Sequence, residues 1–184
     1  MIRNICQWVL YKRLGWKKDV AFELPEKYII CLAPHTSNWD LILGQLFEHA
    51  EGMKCNFLMK KEWFKGPLKP LFLHMGGIPV FRSKHTSMTD HLAQEAQQRE
   101  TFGLCITPEG TRSPNPDWKH GFYYIALKAQ IPVLLFGVDY KRKLIQCTRS
   151  FVPTGDIDKE MKEVKLYFKN FTGKHPENFT IGEV

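Results

Sequence analysis

The sequence predicts a single α/β domain, with a largely parallel mixed sheet flanked by helices. Three observations carry that expectation. Short apolar runs of strand length alternate with helix-patterned stretches along most of the chain, the signature of βαβ units. The runs are rich in aliphatic residues, as strands covered on both faces are. The 184 residues, 43% hydrophobic and 24% charged, suit one domain with a real core and show no repeat, low-complexity tract or linker.

The elements follow in order. Residues 1–20 form a basic amphipathic segment. On a helical wheel Ile2, Ile5, Val9 and Trp16 share one side, Trp8 and Leu14 stray from it, and Arg3, Lys12, Arg13, Lys17 and Lys18 supply charge. Such a helix can lie in a membrane interface, or it can pack on the domain with a solvated charged side. The main domain is expected over residues 21–184. Within it YIICLA (28–33) reads as a strand. DLILGQLFEHA (40–50) reads as a helix, with Asp40 in the first turn that carboxylates favour. NFLM (56–59) is a short strand, KPLFLHM (69–75) a helix stopped by Gly76-Gly77, and IPVF (78–81) a strand. A helix is predicted over 86–100 with Thr86 or Ser87 near its cap, a strand over 103–107 ended by Pro108, and a helix over 120–130. Then come a core strand at 132–138, another strand at 144–152 and a closing helix at 157–171.

Composition narrows the function classes. The net charge of +7 points to an anionic partner: nucleic acid, a phospholipid surface or a phosphorylated substrate. No nucleic-acid motif occurs and the basic residues form no long run, so nucleic acid is not expected. The five scattered cysteines contain no CxxC pair and read as reduced, buried thiols. No signal-peptide pattern is visible in residues 1–20, and no run approaches the roughly 20 apolar residues of a spanning helix; the longest strong run is IPVLLFGV, 131–138. The histidines make no HxH or HExxH arrangement, which argues against a metal-dependent hydrolase built on His35, Asp40 and Glu109.

The polar clusters follow strand ends, where open α/β sheets carry their ligands. His35 follows YIICLA, Lys60 and Lys61 follow NFLM, Arg82 follows IPVF, and Glu109 to Arg112 follow GLCIT. Four strands would thus deliver a histidine, two carboxylates and several cations to one edge. His35 and Asp40 cannot face each other in a regular helix, but a strand-to-helix corner through SNWD would bring them together. Asp40 would then fix the imidazole tautomer and leave the other nitrogen free to take a proton from a hydroxyl. From spacing alone, a histidine beside an N-capping aspartate is more often structural. No GxSxG elbow supplies a nucleophile, so a substrate hydroxyl is the candidate. In TPEGTRS, 107–113, the glycine turn would let backbone N–H groups approach an anion and Arg112 grip it; the alternative is an ordinary loop with a Glu–Arg pair.

PHTSNWD, FLMKKEWFKGPL, GGIPVFR, ITPEGTRS and IPV, in that order over residues 25–155, resemble the successive motifs of the glycerophospholipid acyltransferase family. The resemblance is nearer to its 1-acyl-sn-glycerol-3-phosphate acyltransferase branch, and WKHGF (118–122) resembles the turn that follows EGTR there. It implies His35 as the base that deprotonates the acceptor hydroxyl and Asp40 as the carboxylate that orients it. The hydroxyl would attack an acyl thioester directly, with no acyl-enzyme. Arg82 would bind the acceptor's phosphate, Glu109, Gly110, Thr111 and Arg112 the acceptor, and Lys60 would lie beside the site. Pro132 falls in the motif tied to the acyl-donor side or to structure. The co-substrate would be acyl-CoA or acyl-carrier protein, with no other cofactor and no metal. The implied partners are a lysophospholipid and an anionic membrane surface, the protein sitting in the cytoplasm, peripheral on the inner face of the membrane. Pro34 stands where many members have asparagine, and Phe81 where many have an acidic residue. A lyso-aminoacid lipid, bearing a carboxylate in place of the phosphate, is the alternative acceptor. A non-enzymatic polyanion- or lipid-binding protein is the alternative class.

Overall fold

The computed structural model describes residues 1–80 and 85–183. Its centre is β2 (Lys27–Ala33), with Tyr28 to Cys31 and Ala33 buried. On one side it pairs with β5 (Phe102–Ile106) and on the other with β6 (Val133–Asp139), both parallel. Outward from β5 lie β3 (Asn56–Lys60) and β4 (Gly77–Val80), again parallel. Outward from β6 lies the antiparallel β7 (Leu144–Cys147), and β1 (Lys17–Val20) runs parallel to β7 at the edge. The order is β1-β7-β6-β2-β5-β3-β4, with β8 (Ser150–Phe151) also on β6. The expected largely parallel mixed sheet is therefore present.

Both faces of the sheet are covered, which is why β2 and β6 are apolar along their length between Lys27 at the start of β2 and Asp139 at the end of β6. Ile29, Cys31 and Ala33 of β2 and Val133 and Leu135 of β6 join one core with residues of α4 (His85–Gln98), α5 (Gly121–Ala129) and α6 (Ile157–Phe168). Tyr28, Ile30, Leu134, Phe136 and Val138 point the other way, onto Leu43, Phe47 and Ala50 of α2 (Trp39–Glu51) and Leu10 of the N-terminal helix. The right-handed rule for parallel crossovers puts α3 (Lys69–His74) on the α2 side.

Three expectations change. The stretch 144–152 is not one strand. Gly137 faces Gln146 but Leu134 faces Ser150, so three steps on β6 match four on its partner. The extra residue is a bulge at Thr148 and Arg149, where the Thr148 N–H turns to the Tyr167 hydroxyl. Strand β1 is unexpected, because KKDV has the charged surface of an edge strand and no apolar pattern.

Residues 1–20, expected as a basic amphipathic segment that either lies in a membrane interface or packs on the domain, do pack against α2, but the helical wheel assigned to them changes. Helix α1 (Ile2–Gln7) continues as a π-helix over Trp8–Arg13. The wider π turn breaks the 3.6-residue wheel. Ile2, Ile5 and Trp8 are exposed, but Leu10 is fully buried and Trp16 packs edge-on against Tyr140, ring centres 5.1 Å apart. Trp16 is thus a core residue and not part of an outward stripe. No helix among the described residues is long and apolar enough to cross a membrane.

Candidate active site

The chain leaves β2 through a cis Ala33–Pro34 peptide and turns at once into α2. This corner turns Asp40 back towards the residues that precede its own helix. Asp40 is 5% exposed and serves as the hub rather than as a cap. Its Oδ2 accepts from His35 Nδ1, from Thr36 N–H and from Ser37 N–H, each at 3.0 Å. Its Oδ1 accepts from the Tyr140 hydroxyl at 2.6 Å. A buried carboxylate is tolerated when its lone pairs are matched in this way.

An oxygen that already accepts two backbone N–H groups requires His35 to donate from Nδ1, which leaves the lone pair on Nε2. The His35 side chain is 21% exposed, against 2% for Asp40. The pair therefore has a fixed inner end and an outer end open to a substrate. The amides of Thr36 and Ser37 are occupied by Asp40, so neither is free to hold an oxyanion.

Glu109, at the carboxyl end of β5, is 3% exposed. Its Oε1 accepts from His35 N–H at 2.7 Å, while Oε2 is buried with no hydrogen-bond partner. Burial pushes its carboxyl up to about 7, against the pull of the His35 N–H. Gly110 takes a left-handed conformation, φ +66°, that a side chain would strain. Beyond that turn Thr111 and Arg112 are exposed, and Arg112 Nη1 donates to Asn38 Oδ1. The four residues of EGTR, expected together on the acceptor, thus divide: Glu109 braces the histidine corner from inside, and Thr111 and Arg112 form its rim. Lys60 ends β3 at the same edge and is exposed. Arg82 lies outside the described residues.

Sequence reasoning missed Tyr140. It follows β6, another strand ending at this edge, so the strand-end rule that selected His35 also applies to it. Burial and the neighbouring Asp40 push its hydroxyl well above the usual tyrosine range, so it remains a donor. The C-terminal tail was missed as well. Tyr140 N–H donates to Thr172 O at 2.8 Å, and His175 N–H to Thr36 Oγ1 at 3.1 Å. Thiol chemistry has little support here, because burial pushes Cys105 up to about 12 and Cys31 well above its ordinary value.

A family model described as Acyltransferase matches residues 19–138, from β1 to the end of β6. Human 1-acyl-sn-glycerol-3-phosphate acyltransferase beta is 28% identical over 118 residues, covering 60% of this chain and 42% of that protein. The chain therefore aligns with less than half the length of that relative. The crystal structure of the 1-acyl-sn-glycerophosphate (LPA) acyltransferase PlsC from Thermotoga maritima superposes with a TM-score of 0.61 at 18% identity. That match covers 91% of this chain and 75% of PlsC, and shows a common fold.

Proposed function

The chain belongs to the acyltransferase family, and on that footing we propose that it moves a fatty acyl group from a thioester to the hydroxyl of a lysophospholipid. The acceptor of choice is 1-acyl-sn-glycerol 3-phosphate, with phosphatidate as product. The observation that carries the reading is the His35 Nδ1–Asp40 Oδ2 hydrogen bond at 3.0 Å, buried at one end and open at the other. His35 Nε2 takes the acceptor's hydroxyl proton as the oxygen attacks the thioester carbonyl. The C–S bond breaks, and the leaving thiolate takes that proton from the imidazolium. No acyl-enzyme forms. Arg82 and Arg112 bind the acceptor's phosphate, Lys60 adds charge at the site's edge, and Gly110 and Thr111 shape the rim. The donor is acyl-CoA or acyl-carrier protein, with no further cofactor. The protein works on the cytoplasmic face of an anionic membrane, and residues 1–20 contribute to that contact through the exposed Ile2, Ile5 and Trp8.

The test is an acyl-transfer assay on the purified chain with lipid vesicles, palmitoyl-CoA or palmitoyl-carrier protein, and lysophosphatidate or a lyso-aminolipid. Phosphatidate formed by the wild type and absent with His35→Ala would support both mechanism and acceptor. Product from the aminolipid alone would keep the mechanism and replace the phosphate with a carboxylate. No product from any pair would sink the reading.

A further inference from the structure

The crossover from β3 to β4 is not explained by the site. It starts at Lys60, on the carboxyl edge that carries His35, and runs through a 3₁₀ turn (Lys61–Lys65) and α3. Trp63, Leu68, Leu71 and Leu73 are each about half exposed: 50%, 49%, 51% and 49%. Phe64 and Phe72 are less exposed and meet edge-on, ring centres 6.3 Å apart, and Trp63 packs edge-on against Phe72 at 6.0 Å, so it rests on an aromatic base. Large apolar side chains concentrated in one short crossover, unlike single scattered ones, call for an explanation. Between these residues stand Lys60, Lys61, Lys65 and Lys69, all exposed, against one acid, Glu62. Trp39 and Ile42, exposed at the start of α2, extend the apolar character beside His35.

We propose that residues 61–74 are a leaflet-docking surface that sets the protein on an anionic lipid monolayer with the His35 corner at headgroup depth. The charge is complementary to such a leaflet, and every cation of the stretch is lysine. Lysine is depleted at the centre of protein–protein interfaces, whereas lysine flanking tryptophan and leucine marks a membrane interface. An acidic carrier protein is therefore the less fitting occupant. The inference deepens the acyl-transfer reading, since it names the phase from which the acceptor arrives, but binding measures it and turnover does not.

The experiment is vesicle co-sedimentation of the full chain, with phosphatidylcholine alone or mixed with phosphatidylglycerol. The wild type should bind the mixed vesicles more tightly. Trp63→Ser with Leu71→Gln should weaken that binding at least about tenfold. Lys65→Glu with Lys69→Glu alters exposed charge without touching the aromatic base, so it tests the surface even if the apolar variant unfolds. It should weaken binding to mixed vesicles at least about tenfold and leave binding to neutral ones unchanged. Wild-type binding by the charge variant would overturn the proposal. So would a loss produced only by Ile5→Ser with Trp8→Ser, or a wild type that ignores vesicles and binds carrier protein. A failed acyl-transfer assay with vesicle binding intact would remove the enzymatic reading and leave the docking surface standing.

Discussion

Asp40 and Arg112 sit on the same edge of the sheet and are linked through the corner that carries His35, yet they are built in opposite ways. Asp40 is buried and accepts four hydrogen bonds among the described residues, three from its own corner and one from Tyr140. Arg112 stands in solvent and is steadied by Asn38. On the proposed reading the contrast separates two tasks. Moving a proton requires one tautomer held in one place, which burial and matched lone pairs provide. Gripping a mobile headgroup requires reach and charge, which a rim residue supplies at the cost of screening by water and salt.

The largest expected effect lies at the buried end. His35→Ala should lower kcat by on the order of 10³-fold or more, with acceptor KM within about threefold, because the base acts in the transition state. Asp40→Asn should lower kcat by on the order of 10²- to 10⁴-fold, since an amide holds the wrong tautomer. Steady-state kinetics on variants with matched thermal melts would check both. A KM effect as large as the kcat effect would erase the division between the two ends.

Glu109 tests what burial does to a carboxyl with one oxygen left unpartnered. Its folded value of about 7 lies above the ordinary 4.5, so the fold favours the protonated form. Its contribution to stability is fully present below about pH 4.5 and is lost as pH rises through about 7. From this group the unfolding free energy should fall by roughly 3 kcal/mol between pH 4.5 and 8. Glu109→Gln still accepts from the His35 N–H but cannot ionise. Whatever its new amide costs, it costs equally at both ends of that range. Urea titrations at pH 5 and 8 should therefore show a flatter slope for the variant. Parallel slopes would mean that the carboxyl is solvated.

Tyr140→Phe is the next effect down. Asp40 would keep three N–H donors and lose only the hydroxyl, so kcat should fall about tenfold with acceptor KM unchanged. A fall in kcat matched by an equal rise in acceptor KM, or explained by a lower thermal melt, would mark Tyr140 as a packing residue only.

These residues also show what the sequence could and could not convey. The β2–α2 corner showed as an apolar run ending in a titratable pair beside turn-forming residues, but that spacing alone had an ordinary structural reading, and its assignment came from GGIPVFR and EGTR following in order. Tyr140 lies 100 residues from Asp40, and their meeting depends on the order in which β6 and β2 pair. Whether Glu109 turns in or out is decided by one glycine conformation in a tight turn, which the letters EGTR do not specify. The bulge between β7 and β8 is a register change against a partner strand. The N-terminal wheel misplaced Trp16 because it carried helical spacing past the helix end at Arg13, beyond the left-handed turn at Gly15. In each case the missing information was non-local or conformational. The family model's match to residues 19–138 accounts for the agreement in fold and class, and does not reach these details.

The smallest expected effect belongs to the exposed end. On the proposed reading Arg112 holds the acceptor's anionic group from solvent, so Arg112→Ala should raise acceptor KM by about three- to tenfold and leave kcat within about twofold. Arg112→Lys should recover only part of that, since a lysine keeps the charge but loses the two-pronged fit to phosphate or carboxylate. Salt provides the sharper measurement. Acceptor KM of the wild type should rise with ionic strength, because the contact is screened, and Arg112→Ala should flatten that dependence. Asn38→Ala removes only the steadying amide, so it should move KM less than Arg112→Ala and keep the salt dependence. If Arg112→Ala instead lowered kcat as strongly as Asp40→Asn, the arginine would be acting on the transition state. The edge would then hold one catalytic unit instead of a buried proton relay with a solvent-facing rim.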